Sequence, residues 1–134
     1  MQRRPIEALK ERRVEEINRR YDAFLAGGYP LADYPGETLQ CRNELDRTNW
    51  LTLKDICFEA LMADLGDALI PAPGIRCTSN NFIQPTFAYT FELMRSLRAW
   101  AFQAQANWWR LKDLARWQTD WRELEAMSID EGWP

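Results

Sequence analysis

Apolar residues recur at helical spacing in four stretches of this chain. Ile6, Leu9, Val14, Ile17, Tyr21, Phe24 and Leu25 form the first, a narrow and imperfect stripe. Pro5 suits a first helical turn and Gly27-Gly28 is a strong stop, which predicts a helix over 5–26. In the second stretch Leu53, Ile56, Cys57, Ala60, Leu61, Leu65 and Leu69 fall on one face, predicting a helix over roughly 44–69 that ends before Pro71 and Pro73. A third helix is predicted over 87–117, capped by Thr86. Its core stripe is Leu93, Leu97, Trp100, Ala104, Trp108, Leu111 and Ala115, while Phe91, Met94, Phe102 and Trp109 point in other directions. A short fourth helix over 120–127 follows, with Thr119 or Asp120 as cap and Glu123 placed to complete a capping box with Asp120.

Between the helices the pattern changes to turn chemistry. Tyr29-Pro30 and Tyr34-Pro35-Gly36-Glu37 precede Thr38–Cys41, a short extended run, so a small hairpin is predicted there. Ile75–Cys77 and Phe82–Gln84 flank Ser79-Asn80-Asn81 and predict a second. The expected fold is mainly α with small β-hairpins. It has about four helices, one of them long and in the C-terminal half, and two short hairpin-like connections. The expected organisation is a single domain over 1–134, with 1–26 an amphipathic oligomerisation or attachment arm and 27–134 the body.

Two features of the pattern point to self-association. Val14, Ile17, Tyr21 and Phe24 keep the three-then-four spacing of a coiled-coil seam over two turns. The bland alternative is one amphipathic helix packed against its own domain. An unbroken helix over 87–117 would extend on the order of 45 Å, whereas a compact domain of this size has a radius of gyration of about 14 Å. Either the helix breaks near Asn107, or it projects and buries Phe102 and Trp109 in another surface. The second option makes Trp109 the leading interface residue and predicts an oligomer.

Composition narrows the chemistry. The chain has no histidine and seven tryptophans. Without histidine there is no Ser-His or Cys-His nucleophile pair and no histidine ligand for catalytic zinc. Carboxylate chemistry remains, and Asp64/Asp67 and Asp120/Glu123 have the i,i+3 spacing that would place each pair on one helix face. The same spacing is routine on solvated surfaces and at caps. Gly27-Gly28 lacks the Lys-Ser/Thr of a phosphate loop. No catalytic, cofactor-binding or metal-ligating residue is assigned, and the expectation is a non-enzyme. Trp50, Trp109, Trp117 and Trp121 are candidates for stacking on sugar rings, which keeps a carbohydrate-binding module as an alternative.

The formal charge is −3. Residues 1–20 hold seven basic side chains against four acidic ones, and the remainder is acidic. The interleaved Glu7, Glu11, Glu15 and Glu16 favour a solvated or oligomerising helix over a nucleic-acid arm. Cys41, Cys57 and Cys77 are odd in number, far apart and without a CxxC, so neither a disulfide framework nor a zinc cluster is implied. No apolar run follows the N-terminal arginines as in a secretory signal, and none reaches the length of a membrane span. The expectation is a soluble chain made in a reducing cytoplasm.

The C-terminal residues carry a resemblance. Leu111-Lys112-Asp113-Leu114, Arg122-Glu123-Leu124-Glu125-Ala126-Met127, Ile129-Asp130 and Gly132-Trp133-Pro134 resemble a bacteriophage domain family of unknown function found in tail-fibre and tail-fibre-associated proteins. Upstream, Ile6–Phe24 leading into Gly28-Tyr29, Leu39-Gln40 with Arg47-Thr48-Asn49, and Arg76-x-x-x-Asn80-Asn81 followed by Phe82-Ile83 are similar to the rest of its pattern. Arg42-Asn43-Glu44-Leu45 with Thr48-Asn49-Trp50 also resembles a phage tail assembly chaperone family. The resemblance implies a phage or prophage tail-associated structural protein that joins or decorates a tail fibre or baseplate. A chain this short is not expected to be a long fibre. Its expected place is the virion tail, after synthesis in the host bacterial cytoplasm; an assembly chaperone absent from the mature virion is the alternative. A homo-oligomer is expected, a trimer by analogy with fibres, without nucleic acid or a membrane span. The expected interface residues are Val14, Ile17, Tyr21, Phe24, Phe102, Trp109 and Trp133.

Overall fold

A computed structural model describes residues 5–134; Arg3 and Arg4 of the basic segment lie outside them. The order is α1 (Pro5–Ala26), β1 (Tyr29–Pro30), β2 (Thr38–Leu39), α2 (Glu44–Met62), β3 (Ile75–Arg76), β4 (Phe82–Ile83), α3 (Phe87–Trp117) and α4 (Trp121–Ala126). The fold is mainly helical with two antiparallel two-stranded hairpins, β1–β2 and β3–β4. The described residues form two compact units: an interior unit, Leu25–Ala101, and a terminal unit made of the residues up to Phe24 with Phe102–Pro134. α3 contributes its first half to one and its second half to the other, and it does not break at Asn107. No helix among the described residues is long and apolar enough to cross a membrane.

In the interior unit both hairpins, the segment after α2 and the start of α3 bury one cluster: Leu31, Leu39, Cys41, Ile70, Ile75, Cys77, Ile83, Met94 and Leu97. Burial of such side chains stabilises by about 1.5–3 kcal/mol each. Met94, placed off the stripe by its spacing, is only 2% exposed, whereas Leu93 and Trp100 are half-buried beside the cluster. Thr86 caps α3 as expected, its Oγ1 accepting from the Tyr89 amide at 3.1 Å.

α2 is shorter than its apolar spacing predicts. The side chain of Asn43 caps its start, accepting from the Asp46 amide. It stops at Met62 because Asp64 adopts the left-handed region (φ 60°). The Leu65 amide then donates to the Ala60 carbonyl (2.9 Å) and the Asp64 amide to that of Leu61 (3.1 Å), the paired bonds of a Schellman motif. Leu65 and Leu69 therefore leave the helix and are exposed, as is Ile56, while Cys57 and Ala60 stay buried.

The terminal unit buries Ile17, Leu111, Ala115 and Leu124, with Ile6, Leu9, Val14, Trp108, Met127, Ile129 and Trp133 packed around them. Lys10 donates to the carbonyl of Arg116 (2.7 Å), satisfying a carbonyl at the end of α3. Arg13 donates to the carbonyl of Met127, and Arg20 pairs with Asp130 at 3.0 Å.

All three cysteines are free and buried. Burial pushes the Cys41 thiol up to about 11 and raises those of Cys57 and Cys77, the last helped by the Glu37 carboxylate. Reaction requires the thiolate. A disulfide-exchange dye is therefore expected to label none of the three until the protein unfolds. Rapid labelling of any one in native buffer would contradict that packing.

Candidate functional site

Two features stand out, one on each unit. In the terminal unit an aromatic stack builds from residues far apart in the chain. Lys112 lies 3.5 Å from the ring centroid of Trp108, and burial lowers its pKa. Trp108 stacks on Tyr21 at 4.7 Å and 8°, and its indole N–H donates to Asn18 Oδ1 at 2.7 Å. Tyr21 and Phe24 both stack on Trp133, at 6.2 and 5.4 Å, with the Arg20 guanidinium over the Trp133 ring. The Trp133 indole N–H in turn donates to the Ile129 carbonyl at 2.9 Å. Beside the stack, Asn107 is 6% exposed. Its amide donates to the Glu131 carbonyl and its oxygen accepts from Arg110, so the buried polar group is satisfied.

Of the seven expected interface residues, Ile17 is fully buried and Val14 half-buried in this core, and Tyr21, Phe24 and Trp133 are taken up by the stack. Phe102 and Trp109 are different. They stand 60% and 45% exposed, edge to face with centroids 6.5 Å apart. On the same turns of α3, Gln103, Ala106, Asn107 and Arg110 line a shallow groove of about 320 Å³ with Gly132 and Pro134. Trp117 and Trp121 are also exposed.

In the interior unit the tips of the two hairpins are sewn together. Glu37, just before β2, accepts from Ser79 Oγ at 2.6 Å and from the side-chain Nδ2 of Asn81 at 2.9 Å. The backbone N–H and hydroxyl of Thr78 both donate to the Thr38 carbonyl. These bonds and the first turns of α2 enclose a second groove of about 320 Å³, lined by Gln40, Asp46, Asn49, Trp50, Arg76, Cys77 and Asn80. Trp50 is half-buried, its indole N–H donating to the Gln40 carbonyl at 2.7 Å. Arg42 donates to the Asp46 carboxylate from its backbone and its side chain, and Arg76 donates to Asn80 Oδ1. Gln40, Asn49, Arg76 and Asn80 all belong to stretches that carry the family resemblance, yet only Trp50 suggested a binding role from sequence.

Glu37, which ties the hairpin tips, and Asp46, which lines the groove, make acid stability testable. Hydrogen bonds from Ser79 and Asn81 hold Glu37 below its ordinary value, and hydrogen bonds from Arg42 do the same for Asp46. Groups lowered on folding contribute stability that is present above their ordinary pKa and lost as pH falls through the lowered, folded value. The urea midpoint is therefore expected to drop as pH falls below about 4.5, the ordinary value for Glu37. Glu37→Gln with Asp46→Asn should flatten that drop; equal slopes for wild type and double variant would refute the assignment.

None of the carboxylates paired by sequence spacing lines either groove. Asp64 and Asp67 do not share a helix face, because α2 ends before them. Asp120 caps α4, accepting from the Arg122 amide at 2.9 Å. Among the described residues no group of three or more cysteines and acidic side chains is placed to hold a metal ion. No protein family, no curated protein and no solved structure matches this chain.

Proposed function

We propose that this chain is a non-enzymatic phage or prophage tail-associated protein that joins or decorates a tail fibre or baseplate through protein–protein contacts. The exposed Phe102–Trp109 pair beside Arg110 carries the contact part of this reading. Trp, Phe and Arg are the residue types that concentrate binding energy at protein interfaces, and large exposed aromatics in one place mark such surfaces. The phage context comes from the resemblance of the C-terminal segment, and threefold self-association from the symmetry of fibres. Synthesis in the bacterial cytoplasm followed by incorporation into the virion tail completes the proposal.

Mass spectrometry of purified particles made by the phage or prophage that encodes the chain tests it. The chain should be recovered at a fixed ratio to the fibre or baseplate proteins. Phe102→Ala with Trp109→Ala should melt like wild type but weaken attachment by about thirtyfold, the effect of losing a hot spot worth about 2 kcal/mol. Absence from particles, with presence in the producing cells, overturns the virion-component reading in favour of a chaperone.

A further inference from the structure

We infer that the polar groove of the interior unit binds a neutral saccharide, an assignment independent of the tail-protein reading. Its lining carries one carboxylate, Asp46, and one guanidinium, Arg76, and so has no net formal charge. Asp46 is itself paired with Arg42, and the Arg76 guanidinium donates to Asn80, so neither charge stands alone in the groove. The other polar side chains are the amides of Gln40, Asn49 and Asn80; those of Gln40 and Asn49 each offer a donor and an acceptor side by side, while Asn80 Oδ1 already accepts from Arg76. Sugar hydroxyls need both. The side-chain amides of Gln40 and Asn49 make no hydrogen bond within the described residues, so both are available to a ligand.

Trp50 supplies the apolar counterpart. With its N–H committed to the Gln40 carbonyl, what it presents to the groove is ring carbon, the surface on which the C–H face of a pyranose packs. The volume of about 320 Å³ lies at the small end of ligand pockets, room for one sugar ring and its substituents. The walls are preorganised by the bonds of Glu37 to Ser79 and Asn81, so little ordering cost remains for binding. A neutral peptide segment is the competing occupant. Strand addition would require an open sheet edge, but the backbone groups of Thr38, Cys77 and Thr78 here are spent on contacts within and between the hairpins.

Saturation-transfer NMR on the whole chain, with the methyl glycosides of glucose, galactose, mannose and N-acetylglucosamine as probes, tests the inference. Transfer to at least one probe is expected, with shifts of the Asn49 and Gln40 side-chain amides and the Trp50 indole N–H. Asn49→Ala and Arg76→Ala, both at exposed positions, should each weaken that binding about tenfold without changing the melting temperature. No transfer to any glycoside, shifts confined to other residues, or undiminished binding in both variants would overturn it. So would a groove that responds to inorganic phosphate or to a neutral peptide and to no glycoside. Should a variant unfold, the wild-type shift map decides alone.

Discussion

Gly74→Ala is expected to destabilise the interior unit by about 3–4 kcal/mol, while Gly36→Ala costs only about 1 kcal/mol. Both glycines have positive φ, 93° and 82°, so both substitutions carry the strain of an L-residue in that region. They differ in the space a methyl group would enter. At Gly36 nothing lies within 4 Å; at Gly74 the new carbon would sit 2.1 Å from the Ile83 carbonyl oxygen, a backbone atom of the paired strand. Relief requires β3 and β4 to part, and Ile75 and Ile83 are the buried residues of that pair. Urea unfolding followed by far-ultraviolet circular dichroism measures both variants. Equal midpoints for the two would show that the close approach costs nothing.

Trp133→Ala should remove about 3 kcal/mol from the terminal unit, as large-to-small changes at aromatic packing sites do. The indole contacts Tyr21 and Phe24, lies beneath Arg20 and donates to the Ile129 carbonyl, so its loss strips one end of the stack and orphans an acceptor. Trp133→Phe retains a ring for the stack and loses the hydrogen bond, at a cost of about 1 kcal/mol. The ordering of wild type, Phe and Ala in urea midpoint is the measurement. A Trp133→Ala midpoint indistinguishable from wild type would mean that the stack contributes nothing to stability. This prediction also separates structural from recognition roles, because Trp109, on the exposed side of α3, should tolerate the same change with little loss of stability.

The helices and hairpins were legible because their signals are local. A period of 3.6 residues, Thr86 and Asp120 as caps, and Asn80 in a tight turn each act within a few positions. The end of α2 departs from its apolar period for an equally local reason: Asp64 takes the left-handed position that usually belongs to glycine, while the period itself runs on through Leu65 and Leu69. The long-range features could not be read in this way. Trp108 and Trp133 looked like a core residue and a terminal motif, and nothing in their spacing pairs either with Tyr21. The polar groove was hidden more completely. Its residues are spread from Gln40 to Asn80 and meet where Glu37 and the Thr78–Thr38 bonds tie one hairpin tip to the other.

The division of the chain between its units imposes an order on synthesis. Leu25–Ala101 is one continuous segment, so the interior unit has all its contacts once the ribosome has passed Ala101 and cleared the exit tunnel. The terminal unit pairs α1 with residues made after the interior unit: Arg13 waits for Met127, Arg20 for Asp130, and Phe24 for Trp133. Closing that separation is the slow kind of contact formation. During elongation α1 emerges before the interior unit yet is buried after it, with the apolar stripe from Ile6 to Phe24 uncovered in between. A nascent chain stalled before Trp133 should therefore present a folded interior unit preceded by a sticky α1, a natural substrate for a holding chaperone.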